Sequence, residues 1–212
     1  MIRRHVIRRE YMAAGAARGL RAFVLASIAI GTGIGIAGCG HGSPTRFVTL
    51  DATPAQAPLS TAAMAPVQLS AVHIPAVLDR PEVVTQIAPN RLAIDDNDRW
   101  GAPLAQMMRS TLAQNLLPRL PPGAFIFPDA PAPAGTRTLV VTVLDCNANA
   151  NGTLTVQAAW TLLSGQPART TLTQQAALST QIEGHDAAAQ AAALSRILGE
   201  LADRIAASID VR

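Results

Sequence analysis

The sequence predicts a single α+β domain, a mostly antiparallel or mixed β-sheet with two long helices packed on one face. Two observations carry this. Two segments repeat apolar residues at helical spacing, one led by Trp100 and one running from about 187 to 209. Around them lie several β-rich runs separated by Gly, Pro and Asn turn signals. No internal repeat at solenoid spacing is visible.

Phe47-Val48-Thr49-Leu50 is a short β-prone run. Residues 51–66, rich in Ala, Pro, Ser and Thr, read as a surface loop. Val67, Leu69 and Ala71 alternate with polar residues, which predicts a half-buried strand ending at Ile74-Pro75. Residues 82–87 and 91–94 form a hairpin about Ala88-Pro89-Asn90. Asp95, Asp96 and Asp98 precede Trp100, and Pro103 follows, the pattern of a helix start. Leu104, Met107, Met108, Leu112 and Leu116 continue that stripe until Pro118 ends it. Residues 124–127 read as a short strand. Residues 138–145 and 153–163 are the clearest strands, joined through Asn151-Gly152. A third antiparallel strand spans 168–182, and Asp186 caps a last helix striped by Leu194, Ile197, Leu198, Leu201, Ile205 and Ile209.

The 212 residues are 49% hydrophobic and 15% charged, and every one of the 17 basic residues is arginine. Six arginines lie within the first 21 residues against one acid, Glu10. From Gly40 onward, 11 arginines meet 13 acids, a balance of −2. The folded body therefore lacks the basic footprint of a nucleic-acid binder. With two Trp, one Tyr and four Phe, it also lacks a stacking platform.

The N-terminus reads as an export signal: a basic region, then the uncharged residues 22–38. That stretch is marginal for a permanent membrane span. Ile36-Ala37-Gly38-Cys39 is similar to a bacterial lipobox, an aliphatic residue and two small ones before cysteine. On this reading Cys39 is the lipidation site, and several acyl chains give firm anchoring. The organisation is then a lipoprotein signal peptide over 1–38, a lipidated tether over 39–46 and one domain over 47–212. Cys146 is left either to pair between chains or to pack as a buried apolar thiol.

Four further pieces carry a family resemblance. They are Ile74-Pro75-Ala76-Val77-Leu78-Asp79-Arg80-Pro81-Glu82-Val83-Val84, Arg99-Trp100 leading Leu104, Gln114-Asn115-Leu116, and Ala158-Ala159-Trp160. Together they resemble the PqiC (YmbA-type) lipoproteins, the auxiliary lipoprotein component of ABC-type transport systems. The resemblance spans about 43–209, and Leu78-Asp79-Arg80-Pro81 is its most specific piece. Val77 and Phe47 stand where the family usually has Tyr, and Asp145-Cys146 replaces its common Phe-Asp-like ending.

The resemblance implies a non-enzymatic accessory subunit beside an inner-membrane-anchored MCE-domain transport protein, in a system that moves lipids between membranes or maintains the envelope. A homo-oligomer is compatible with such an adapter. Gly40 rather than Asp follows Cys39, which by analogy with other lipoproteins implies the outer membrane, facing the periplasm. The alternative is a lipid-binding envelope module acting on its own.

The candidate partner-binding residues are Asp79, Arg80, Pro81 and Trp100. Pro81 drives Arg80 to an extended conformation, and Arg80 offers a planar fork of donors. The same residues also fit a structural turn whose Arg pairs internally with an acid such as Asp79 or Asp95, and a Trp that anchors the core. No Gly-x-Ser-x-Gly, Walker A loop, metal-ligand cluster or Cys–His pair at family spacing appears, and no cofactor is expected.

Overall fold

The structure is a computed structural model that describes residues 44–55 and 64–210. The export segment and Cys39 lie outside the described residues. In chain order the elements are β1 (Arg46–Val48), β2 (Val67–His73), a 3-10 turn (Ala76–Leu78), β3 (Glu82–Ala88), β4 (Arg91–Trp100) and α1 (Leu104–Leu116). There follow β5 (Phe125–Ile126), β6 (Arg137–Ala148), β7 (Thr153–Ser164), β8 (Arg169–Gln181) and α2 (Ala187–Asp210).

The strands form two sheets. The larger has the order β5-β2-β6-β7-β8 and the smaller β1-β4-β3. The α+β class and the two helices agree with the sequence reading. The division in two, and the parallel pairing of β2 with both β5 and β6, go beyond it. The long meander β6-β7-β8 is antiparallel, as its turn signals require. Asn149 organises the first turn: its Oδ1 accepts the backbone N–H groups of Asn151 and Thr153, both at 3.0 Å. Gly152 supplies the positive φ of 73°. In the β3–β4 hairpin Asn90 takes that role, at φ 60°.

A bulge adjusts β6 midway. The pairing with β7 shifts between Val143 and Asp145, leaving Leu144 without a register partner and 52% exposed. Before it, Leu139, Val141 and Val143 point inward; after it the phase changes, and Ala148 is the buried residue.

The acidic run does not start the first helix. Asp95, Asp96 and Asp98 continue β4, and Trp100 ends it. β4 gains partners on both edges here: Arg99 stands opposite Phe47 and Glu82, and Trp100 opposite Val48. Pairing on two sides outweighs a capping signal that depends on local sequence alone. α1 begins only at Leu104, with Pro103 at its N-cap and no side-chain cap. The last helix starts as expected, with Asp186 Oδ1 accepting the N–H of Ala189 at 2.8 Å.

Both helices pack on the larger sheet, α1 against β2 and α2 against β7 and β8, and they touch each other. The core between them is aliphatic. Leu69, Leu112, Leu116 and Leu139 meet Leu194, Leu201 and Ile205, all fully buried. Burying one such side chain contributes about 1.5–3 kcal/mol. Both tryptophans are core. Trp160 is 4% exposed, and its indole N–H donates to Ser208 Oγ at 2.9 Å, tying β7 to the end of α2.

A strap crosses the helices just after β1. The backbone N–H of Asp51 donates to Ser195 Oγ at 3.1 Å, on α2. The N–H of Thr53 donates to Asn115 Oδ1 at 2.7 Å, on α1. Buried Arg119 donates to the Asn115 carbonyl at 2.9 Å and, through Nε, to Asp203 Oδ1 at 2.6 Å. Gly199 permits this close approach: a Cβ there would collide with Thr53 Oγ1.

Candidate functional site

The Leu78–Pro81 segment lies between the 3-10 turn and β3, and its backbone is internally fastened. The N–H of Leu78 donates to the Pro75 carbonyl at 2.9 Å, and that of Asp79 to the Ala76 carbonyl at 3.2 Å. Pro81 donates no N–H, but its carbonyl accepts from the N–H of Trp100 at 2.7 Å. That bond joins the turn to the end of β4, 19 residues further along the chain. All four predicted partner-binding residues are thereby gathered at one place. Asp79, Arg80, Pro81 and Trp100 line one open surface groove of about 300 Å³, completed by Ala102 and Pro103.

The four residues differ in what they offer. Asp79 is exposed, and Arg80 is part-exposed at the rim. Trp100 is 6% exposed, so it is a core anchor that contributes one edge to the groove. Among the described side chains Arg80 pairs not with Asp79 but with Glu82. Its Nε donates to Glu82 Oε2 at 2.9 Å. The hydrogen bond from Arg80 holds the Glu82 carboxyl below the usual carboxylate range. Val77, in the position where the family resemblance expects Tyr, is 49% exposed at the preceding turn.

The sequence reading missed Glu82 as the partner of Arg80, and Ala102 and Pro103 as walls of the groove. Only the two-residue spacing of Arg80 and Glu82, which places them on one side of an extended segment, signals the pair. The polar network of Thr53, Asn115, Arg119 and Asp203 was also missed, although Asn115 belongs to one of the segments that carry the resemblance.

Cys146 is part-buried against the core. Burial, reinforced by the neighbouring Asp145 charge, pushes its thiol up to about 12. That is the signature of an inert packed thiol rather than a nucleophile. His73 and His185 are both exposed and lie on separate elements. Among the described residues no cluster of three or more His, Cys, Asp or Glu is arranged to hold a metal ion, and no helix is long and apolar enough to cross a membrane.

The chain is 33% identical over 91 residues to the intermembrane transport lipoprotein PqiC of Escherichia coli (strain K12), and equally to that of Shigella flexneri. The match covers 43% of this chain and 48% of each relative, so the chain spans about half the length of the curated relatives it matches. Two solved structures share the fold. One, described only as an uncharacterized protein, superposes with a TM-score of 0.65 at 20% identity, covering 78% of this chain and 99% of that one. The other, a DUF330 protein from Xanthomonas campestris, gives 0.58 at 16% identity, with 76% and 91% covered. The family model described as the ABC-type transport auxiliary lipoprotein component matches residues 49–206, from the strap to the last turns of α2. That span includes the groove and both helices, and the chain belongs to this family of transport auxiliary lipoproteins.

Proposed function

We propose that this protein is a lipid-anchored, non-enzymatic adapter that docks a periplasmic transport protein through the Asp79–Trp100 groove. In this reading the signal peptide over 1–38 is removed and Cys39 carries the acyl chains. The tether over 39–46 leads into the domain over 47–212. The absence of Asp after Cys39 favours the outer membrane, facing the periplasm. The partner is an inner-membrane-anchored MCE-domain protein, and the system moves lipid between the membranes in support of envelope integrity. The family, and the similarity to the intermembrane transport lipoprotein PqiC, support the setting.

The observation that carries the docking surface is convergence. Two segments that the resemblance singles out meet across the Trp100–Pro81 bond and line one open groove. The groove combines an exposed carboxylate at Asp79, a guanidinium at Arg80 and apolar walls from Pro81 and Pro103, a mixture suited to a protein partner. Acting alone as a lipid carrier requires a continuous apolar cavity. Among the described residues, the cavity beside Trp100 and Cys146 has a volume of about 20 Å³.

The test is photo-crosslinking in intact cells from position 77 or 79 of the lipidated full-length protein, followed by mass spectrometry. Recovery of an MCE-domain protein, reduced by a charge reversal at Asp79, supports the adapter. Equal recovery from a probe at exposed Gln174, on β8, would sink the groove as the docking surface.

A further inference from the structure

A second pocket, away from the groove, lies where the start of β6, the end of β7 and the carboxyl end of α2 meet. It has a volume of about 130 Å³. Leu162, Leu172 and Ile209 form an apolar floor, and Arg137, Ser164, Thr171 and Ser208 bring the polar atoms.

Those polar atoms are not equivalent. Ser208 is committed: it donates to the Ile205 carbonyl at 2.7 Å and accepts from the Trp160 indole. Thr171 donates to the Leu162 carbonyl at 3.1 Å. Ser164 has no hydrogen-bond partner for its hydroxyl among the described residues. Arg137 is held in place by one bond, Nη2 to the Ala65 carbonyl at 3.0 Å. Its Nε is buried and has no acceptor among the described residues. A buried guanidinium N–H without an acceptor carries a desolvation cost that a bound anion removes. Burial accordingly lowers the Arg137 pKa from its ordinary value, as an uncompensated cation requires.

A second cation lies two strands away, on β8. Arg169 is the cross-strand partner of Ser164, and directly paired residues project from the same face of a sheet. Arg137, Ser164 and Arg169 therefore form a row of two cations and a free hydroxyl across three strands. Among the described residues no acidic side chain lines the pocket. Its volume equals about four waters at ~30 Å³ each, room for one tetrahedral oxyanion and too little for an acyl chain.

We infer that the pocket at Arg137 and Ser164 is a binding site for a single phosphate group, with the Arg137 guanidinium and the Ser164 hydroxyl as the donors and Arg169 flanking it across β7. A membrane-anchored protein meets such a group in two forms, as a free phosphate or as a phospholipid headgroup. The competing role for both arginines is to complement the carbonyls at the carboxyl end of α2. That role affects stability and leaves ligand binding at zero.

The experiment is calorimetric titration of the full-length lipidated protein in phosphate-free buffer. The probes are inorganic phosphate and, separately, glycerophosphoglycerol, the deacylated headgroup of phosphatidylglycerol. The expected result is saturable binding of at least one probe, weakened about tenfold or more by Arg137→Gln, the loss of one charge-assisted hydrogen bond. Ser164→Leu, which fills the pocket and keeps the Arg137 charge, should abolish binding even if Arg137→Gln fails to fold. Arg204→Gln removes an exposed arginine on α2 and should leave binding unchanged. Preference for inorganic phosphate identifies a free anion as the ligand, and preference for the diester identifies a headgroup. Failure of both probes to saturate by about 10 mM, or an equal loss in the Arg204 variant, overturns the site.

Discussion

The backbone N–H of Thr53 donates to the side-chain carbonyl of Asn115 at 2.7 Å, across 62 residues of chain. Asn115 is fully buried, and Thr53 is the residue whose hydroxyl occupies the space above Gly199. One amide thus fixes the segment that enters the domain to the last turn of α1.

Breaking this contact is expected to cost more than an ordinary surface change. Asn115→Ala leaves the Thr53 N–H without its acceptor and should destabilise the fold by about 1–3 kcal/mol. Gly199→Ala forces the strap away from α2 and should cost a similar 1–3 kcal/mol, roughly, by overpacking. Urea unfolding monitored by tryptophan fluorescence reads both. A shift in midpoint within error of wild type for Gly199→Ala would show that the strap is not seated there.

The ion pair behind the strap is lopsided. The Arg119 side chain is 4% exposed and that of Asp203 52%. Removing the acid strands a buried cation, whereas removing the arginine leaves a carboxylate that water can solvate. Asp203→Ala should therefore destabilise more than Arg119→Met, which keeps the packing of the stem. Equal costs in a denaturant titration would contradict this.

Cys146 supplies a chemical probe of the core. With its thiol pushed up to about 12, it stays protonated well above neutral pH. An unfolded cysteine ionises near 8.5. At pH 8 the native protein should react with iodoacetamide about 1,000-fold more slowly than the unfolded chain, since thiolate is the reactive form. The same raised value means that stability is intact below the unfolded thiol pKa and declines as pH rises from there toward 12. Mass spectrometry of timed quenches measures the rate.

Glu82 gives the acid-side counterpart. Its depressed pKa means the Arg80–Glu82 pair contributes above the ordinary carboxylate range and is lost as pH falls through and below it. Arg80→Gln should return the Glu82 titration midpoint upward toward 4.3. A carboxyl-carbon NMR titration resolves the difference, and an unmoved midpoint would mean the pair does not form in solution.

Much of this fold was legible from local pattern. The alternation of Val67–His73, the Asn151-Gly152 turn and the Asp186 cap each state their structure within a few residues. The groove was legible in its members, because Asp79–Pro81 and Trp100 belong to the most specific segments. What escaped was set by partners distant in sequence. Nothing local in Asp95–Asp98 announces that β4 is flanked by β1 on one side and β3 on the other. Asp98 is drawn into that sheet by Arg46, whose Nε and Nη2 grip its two oxygens at 2.7 and 2.9 Å. Likewise no spacing rule links Arg137 to Ser164 and Arg169; only the register of the meander brings them side by side.

The strap has a mechanical consequence. Tension applied to the chain at Pro44 reaches the core through a series of fasteners rather than one. The Arg46–Asp98 clasp comes first, then the three-residue ladder of β1, then the bonds to Ser195 and Asn115. Each must yield before the next is loaded, and the last two bear on different helices. A pull on the leading end is thus met in succession by β4, then α2, then α1, as a rope is belayed round several posts.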